Sequence, residues 1–303
     1  MDIICIVGPT AVGKTKLSIE LAQALNGEII SSDSMQIYRG MDIGTAKASL
    51  EERRGIVHHL IDEKKPDEEY SVAEFQQTVR AKIADIIARD KLPILVGGTG
   101  LYIKSVLYDY EFSKDSQTKT TIQDAYEHLN NEQLHNQLRE IDEKAALDIH
   151  PNNRKRVIRA LEIFKESGVK KSELIERQQH QLIYQVKLIG LTDDREALYQ
   201  RINQRVDNML EMGLIEEVRC LYDCQIPKEA QAIRAIGYKE VYDYFEGLIS
   251  FEECRELIKR NSRRYAKRQY TWFRNQMDVK WFKIDLKDFE KTVSEVKTYI
   301  EKS

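Results

Sequence analysis

The chain has 303 residues, enough for one large domain or two smaller ones with ample core. Apolar residues make up 42% and charged residues 32%, which excludes a disordered chain. A net charge of −3 excludes a uniformly basic nucleic-acid binder, so any polyanion-binding surface must be a local patch.

The first predicted element is a buried strand, Ile3-Ile4-Cys5-Ile6-Val7. It runs into Gly8-Pro9-Thr10-Ala11-Val12-Gly13-Lys14-Thr15, and a helix follows with Leu17, Leu21, Ala24 and Leu25 at helical spacing. Strand, glycine turn and helix are the context that makes this pattern a phosphate-binding loop. Backbone N–H groups close around phosphate oxygens, and the positive end of the new helix points at the same place. Lys14 adds a point charge, and Thr15 is suited to hold magnesium. A second strand spans Gly27 to Asp33. Ligands of parallel sheets bind at the carboxyl ends of strands, so Asp33 can face the phosphate loop as a proton acceptor or magnesium ligand. A turn or helix-cap role is the alternative, because Ser31, Ser32 and Ser34 surround it. His58-His59 reads as structural before it reads as a metal or ligand site.

A helix is expected from Val72 to Ala88, then a strand from Leu92 to Val96 closed by Gly97-Gly98-Thr99-Gly100, then a helix through Leu107. A nucleotide hydrolase would usually carry an Asp after that strand. Here glycine lets backbone approach a ligand, and Thr99 can donate a hydroxyl; no Asn-Lys-x-Asp guanine reader is present. Residues 113–183 hold no convincing strand and read as a helical insertion. It contains the basic cluster Asn153, Arg154, Lys155 and Arg156, continuing to Arg159. A returning strand is expected from Gln185 to Leu191, then long helical segments over about 195–223 and 250–274, a last strand over Val279 to Ile284 and a terminal helix.

From Arg255 to Arg274 eight basic residues face a single acid, Glu256. Lys259, Arg263 and Lys267 share one helix face, and Arg260, Arg264 and Arg268 lie beside them. Like charges at that spacing repel by a few tenths of a kcal/mol per pair, and a phosphate backbone would relieve this. Tyr265, Tyr270, Trp272 and Phe273 among them can stack on bases. Arg234, in a glycine-containing segment between helices, could reach the phosphate site or make a surface ion pair. The four cysteines include no Cys-x-x-Cys pair, which suggests reduced thiols in a cytoplasmic protein.

Several of these segments together resemble one family, the tRNA dimethylallyltransferases or isopentenyl-tRNA transferases, in a bacterial form. They are 8–15, Asp33 to Lys47, Gly97 to Tyr102, Asn153 to Leu161, Arg234 to Tyr238 and Lys267 to Arg274, in order. The resemblance implies an α/β fold: a P-loop NTPase-like parallel core over 1–112 and 184–303 with a largely helical C-terminal part, and a tRNA-binding helical insertion over 113–183. It implies transfer of a dimethylallyl group from its diphosphate to the exocyclic amine of the adenosine 3′ of a tRNA anticodon. In that reading Asp33 is the general base, residues 8–15 and Thr99 hold the donor, Thr15 holds magnesium, and Arg234 stabilises the leaving diphosphate. The anticodon stem-loop would meet Asp33, Ser34, Met35, Gln36, Thr99, the 153–159 cluster, Arg264, Lys267, Arg268, Gln269, Trp272 and Arg274. A monomer is the default, and whether a nucleotide such as ATP also enters the loop stays open. A small-molecule kinase would account for the loop and Asp33 but not for the basic aromatic helix. An RNA-binding protein switched by nucleotide is a third reading.

Overall fold

The computed structural model describes residues 2–110, 112, 126–177, 181–285 and 287–302. Chain contacts divide it into two compact units, Met1–Leu107 with Leu182–Ser303, and Tyr108–Gln181. The second unit was expected over 113–183; of that stretch, 113–125 and 178–180 lie outside the described residues.

The first unit is built on six parallel strands: β1 (Ile3–Val7), β2 (Gly27–Ser31), β3 (His58–His59), β4 (Leu92–Gly97), β5 (Val186–Thr192) and β6 (Lys280–Lys283). Their spatial order is β3-β2-β4-β1-β5-β6. All five residues of β1 are buried, since β4 and β5 flank it and helices cover both faces. Each such isoleucine contributes roughly 1.5–3 kcal/mol by leaving water. Helix α1 (Lys14–Ala24) buries Leu17, Ile19 and Leu21 against this sheet and stops at Asn26, whose backbone is left-handed at φ 51°. The short helix α2 (Leu50–Arg53) is closed by a Ser49–Glu52 capping box. Helices α3 (Val72–Ala88) and α4 (Gly100–Leu107) form as the periodicity requires.

The second half departs from expectation in one respect. The helical pattern over 195–223 is two helices, α9 (Arg195–Glu211) and α10 (Leu214–Asp223), broken at Gly213, whose φ of 100° no helix interior accepts. Helix α11 (Tyr238–Phe245) follows. Then α12 (Phe251–Gln276) runs for 26 residues, about 39 Å, from a Ser250–Glu253 capping box. Helix α13 (Phe289–Glu301) returns to the core, burying Phe289, Val293, Val296 and Ile300 among residues of β1, α1 and β5.

The second unit holds α5 (Asn131–Ile141), α6 (Glu143–Asp148), α7 (Arg154–Ser167) and α8 (Lys171–Arg177). Its own core joins Leu134, Leu138, Ile149, Val157 and Leu161. The buried His135 ring sits within hydrogen-bonding distance of the Ala146 and Ile149 carbonyls, 3.0 and 2.9 Å away. No described helix of either unit is long and apolar enough to cross a membrane.

Candidate functional site

The phosphate loop leaves the carboxyl end of β1, and its shape is set from four sides. Gly8, at φ 144°, passes so close to β5 that a Cβ there would meet the Leu191 carbonyl at 2.7 Å. Gly8 and Pro9 are buried supports; the cavity wall begins at Thr10. Gln269 Oε1 accepts from the Thr10 N–H at 3.0 Å while its Nε2 donates to the Gly98 carbonyl at 3.1 Å. Arg201 Nε donates to the Ala11 carbonyl at 3.1 Å, holding a non-glycine residue at φ 61°. The Phe289 ring supports Gly13 from below, with Lys16 Nζ 4.6 Å from its centre. Lys14 Nζ donates to Pro9 O at 2.7 Å and is half-buried. Burial first, then the Arg205 cation, pulls the Lys14 ammonium down to about 7.

Asp33 stands after β2, with β4 between it and the loop. The glycines at the end of β4 clear that gap: a Cβ on Gly97 would strike Ser32 Oγ at 2.2 Å, and one on Gly98 the Gln269 amide at 2.0 Å. At Gly97 the Ser32 backbone carbonyl carbon would also lie only 2.8 Å away, so an aspartate there, as in a nucleotide hydrolase, would not fit. Asp33 Oδ1 accepts from the Met35 N–H at 2.9 Å, so the turn role is real, but this bond occupies one oxygen. Its Oδ2 has no protein partner among the described residues.

Two adjoining cavities meet here, of about 950 and 300 Å³. The larger is lined by the loop from Thr10 to Lys16 with Gln36, Gly97, Gly98 and Gln269. The smaller is lined by Ser34, Met35, Gly44, Arg234, Ile236 and Arg268, with Ile202, Val206, Leu214 and Ile258 as its apolar side. Thr10, Asp33, Thr45, Arg205, Met209 and Tyr265 line both. The cavity around the glycine loop and a partly apolar chamber therefore share a wall carrying a carboxylate.

Arg205 is the residue that sequence reasoning missed. It lies on α9 one helical step from Ile202 and Val206, both buried. Burial pushes its pKa down, and Asp33 followed by Glu52 are the carboxylates that pull it back. It makes no hydrogen bond to the described residues. The available signal was an arginine on the apolar stripe of an amphipathic helix, which sequence alone does not separate from a solvent-reaching side chain. Arg234, expected beside the leaving diphosphate, lines the smaller cavity and not the one that holds the phosphate loop, whereas Arg205 lines both. Tyr265 was read as a stacking surface; it borders both cavities, and burial then Asp33 push its hydroxyl up to about 12.

The basic surface of α12 is smaller than the charge count suggested. Lys259 is buried and bonds Asp207 at 2.8 Å, Arg255 bonds the same carboxylate at 2.7 Å, and Arg263 donates to Asn203 Oδ1 at 2.5 Å. These three tie α12 to α9. Arg260, Arg264, Lys267, Arg268 and Arg274 remain exposed. Gln269, expected to face tRNA, is buried in its bridge between the phosphate loop and Gly98, because it falls on the inner face of α12. Trp272 is half-buried over Gly100, where a Cβ would strike its ring at 2.0 Å. Thr99 has a buried hydroxyl beside Tyr265 and lines neither cavity.

In the second unit Asn153 opens α7, and Lys155, Arg156 and Arg159 are exposed on it. Arg154, expected at the same surface, turns inward to donate to the Leu129 and Tyr126 carbonyls at 2.7 and 2.6 Å. The histidines are structural: His58 Nδ1 lies 2.9 Å from Ile56 O and His59 Nε2 lies 2.7 Å from Glu28. Among the described residues no group of three His, Cys, Asp or Glu could hold a metal, and all four cysteines are free thiols. Thr15 is exposed at the head of α1, which fits a magnesium ion held by one hydroxyl, substrate phosphate oxygens and water.

Comparison with known proteins agrees with this geometry. The family model described as IPP transferase matches residues 36–276. The chain is 56% identical over 302 residues to the tRNA dimethylallyltransferase of Anoxybacillus flavithermus, covering 99% of this chain and 96% of that one. It is 58% identical over 304 residues to that of Bacillus anthracis, covering 98% and 94%. The solved tRNA delta(2)-isopentenylpyrophosphate transferase of Staphylococcus epidermidis superposes with a TM-score of 0.74 at 47% identity, over 99% of both chains. A eukaryotic dimethylallyltransferase acting on tRNA superposes with a TM-score of 0.85 at 34% identity, over 97% of this chain and 77% of that one.

Proposed function

The chain belongs to the IPP transferase family, and from that premise we propose how its two cavities divide the transfer of a dimethylallyl group to tRNA. The observation that carries the reading is the shared wall: Asp33 and Arg205 border both the phosphate cradle and the smaller chamber. The cradle takes the diphosphate of dimethylallyl diphosphate, and the chamber takes the adenine 3′ of the anticodon, extruded from its loop.

An adenine amine is a poor nucleophile because its lone pair is shared with the ring. As its nitrogen forms a bond to carbon one of the donor, the bond from that carbon to the diphosphate oxygen breaks, and the electron pair leaves with the diphosphate. Asp33 takes the proton that the amine sheds, an effect worth about 10²–10⁴-fold. Carbon one is allylic, so its developing positive charge is delocalised, and the main electrostatic demand is the charge growing on the leaving group. Lys14, the loop N–H groups, the amino end of α1 and Arg205 meet that demand. A magnesium ion held by Thr15 would neutralise part of the diphosphate charge. Ser34, Met35, Arg234 and Arg268 are proposed to contact the nucleotide in the chamber, while Gln36, whose amide bonds Ser31 and Thr45, faces the larger cavity. The exposed cations of α12 on the first unit and those of α7 on the second are each proposed to contact tRNA phosphates. Such a substrate places the protein in the cytoplasm.

The test is direct. Protein, magnesium, labelled dimethylallyl diphosphate and unmodified tRNA are mixed, and the tRNA nucleosides are resolved by mass spectrometry. Label on the exocyclic amine of that adenosine is expected. Folded protein that leaves the tRNA unlabelled refutes the reading.

A further inference from the structure

The loop from Asp42 to Lys47 lines the larger cavity and, through Gly44 and Thr45, the smaller chamber, and it is held by a residue that touches neither cavity. Asp42, Ile43 and Gly44 present three successive backbone N–H groups, an arrangement that forms a concave anion site. A carboxylate of the protein fills it. Glu217, from α10, accepts from Asp42 N at 2.8 Å and Ile43 N at 2.7 Å through Oε2, and from Gly44 N at 3.1 Å through Oε1. Oε1 also accepts the Tyr238 hydroxyl at 2.6 Å. Tyr238 is fully buried, and its ring lies so near Gly44 that a Cβ there would meet it at 2.5 Å. One carboxylate thus joins the 42–44 loop to the first residue of α11, next to Gly237 of the opposite chamber wall.

The same loop leads to Asp33. Gln36 Nε2 donates to the Thr45 carbonyl at 3.2 Å, Ser31 Oγ donates to Gln36 Oε1 at 2.9 Å, and Asp33 N donates to Ser31 Oγ at 3.4 Å. We propose that Glu217 is a positioning residue for the transfer: it fixes the chamber wall and, through the loop and Gln36, the place of the Asp33 carboxylate. The proposal rests on the reading of Asp33 as proton acceptor. Four donors to one carboxylate make charge-assisted bonds that a neutral amide does not replace, because its NH₂ would face N–H groups.

The experiment measures single-turnover transfer to tRNA, binding of dimethylallyl diphosphate, and thermal melting for Glu217→Gln, Tyr238→Phe, Gln36→Ala and the Glu217→Gln/Gln36→Ala pair. Glu217→Gln is expected to slow transfer by about tenfold or more, the scale of a displaced reacting group, while donor binding stays within about twofold. Tyr238→Phe slows it in the same direction by a smaller factor and serves if Glu217→Gln does not fold. The double variant loses less than the product of the single losses, because both act through one loop. Transfer at the parent rate in folded Glu217→Gln or in Tyr238→Phe, multiplicative losses in the pair, or donor binding that falls in step with rate would each overturn the proposal. Parent protein that makes no product, or Asp33→Ala that keeps its rate, would instead defeat the reading beneath it.

Discussion

Replacing Arg205 by methionine should separate activity from stability in opposite directions. The guanidinium is half-buried and interacts electrostatically with Lys14 and Asp33, its pKa is lowered by burial, and it makes no hydrogen bond to the described residues. Its removal therefore breaks no internal bond and relieves a poorly solvated charge, so the melting temperature should stay level or rise. The reaction loses a preorganised cation at the point where charge grows. Removing one such donor costs on the order of 2.7–4 kcal/mol, or about 10²–10³ in rate. Part of the ground-state loss is offset, because Arg205 is the second cause of the low Lys14 pKa and Lys14 regains protonation without it. Donor affinity should fall less than the transfer rate. Single-turnover kinetics with calorimetric melting measures both. A rate within tenfold of the parent, or a variant destabilised by more than about 1 kcal/mol, would refute this account of Arg205.

Asp33→Ala should slow transfer by about 10²–10⁴-fold with donor binding nearly unchanged; equal losses in both would remove its assignment as base. Thr15→Ala should weaken diphosphate binding and its magnesium dependence together, read from titrations with and without the metal. Lys14, at about 7 before ligand arrives, is mostly neutral at pH 8, and a phosphate anion favours its charged form. Donor binding near pH 8 should therefore take up a proton, with the uptake fading below about pH 6, as read from calorimetry in buffers of different ionisation enthalpy. Glu28 is buried and held well below the usual carboxylate range, first by the Arg89 guanidinium and then by Lys91 and His59. A lowered folded-state pKa stabilises above the unfolded value, so stability from Glu28 should be full above about pH 4.5 and decline as acid carries the protein toward the folded value. Glu28→Gln should cost about 1–3 kcal/mol at pH 7, because the half-exposed Arg89 and Lys91 can rehydrate, and should flatten that acid limb.

Local chemistry was legible in the chain itself. The phosphate loop is a contiguous run whose geometry follows from its own glycines and the strand and helix on either side. The strand expected before Asp33 is β2, the pattern over 72–88 is α3, and the run expected over 92–96 is β4, because neighbours in sequence determine these features. The segments from Asp33 to Lys47 and from Lys267 to Arg274 carried the family resemblance.

Assignments that depend on which face of a helix meets another element belonged to the tertiary structure. The arginines and lysines of α12 look alike in sequence, yet Lys259 and Arg255 are consumed by Asp207 while Arg264 and Lys267 reach solvent. Gln269 turned inward to the phosphate loop, Arg154 turned inward to carbonyls of its own unit, and Arg205 rather than Arg234 lines the cavity of the phosphate loop. Periodicity says that a side chain shares a stripe with its neighbours, but whether that stripe ends in solvent, in a carboxylate or in a cleft is decided by residues on other elements, from 25 positions away for Arg154 to 259 for Gln269. Arg205 and Asp33 are 172 positions apart, and only the packing of α9 across the sheet brings their charges together.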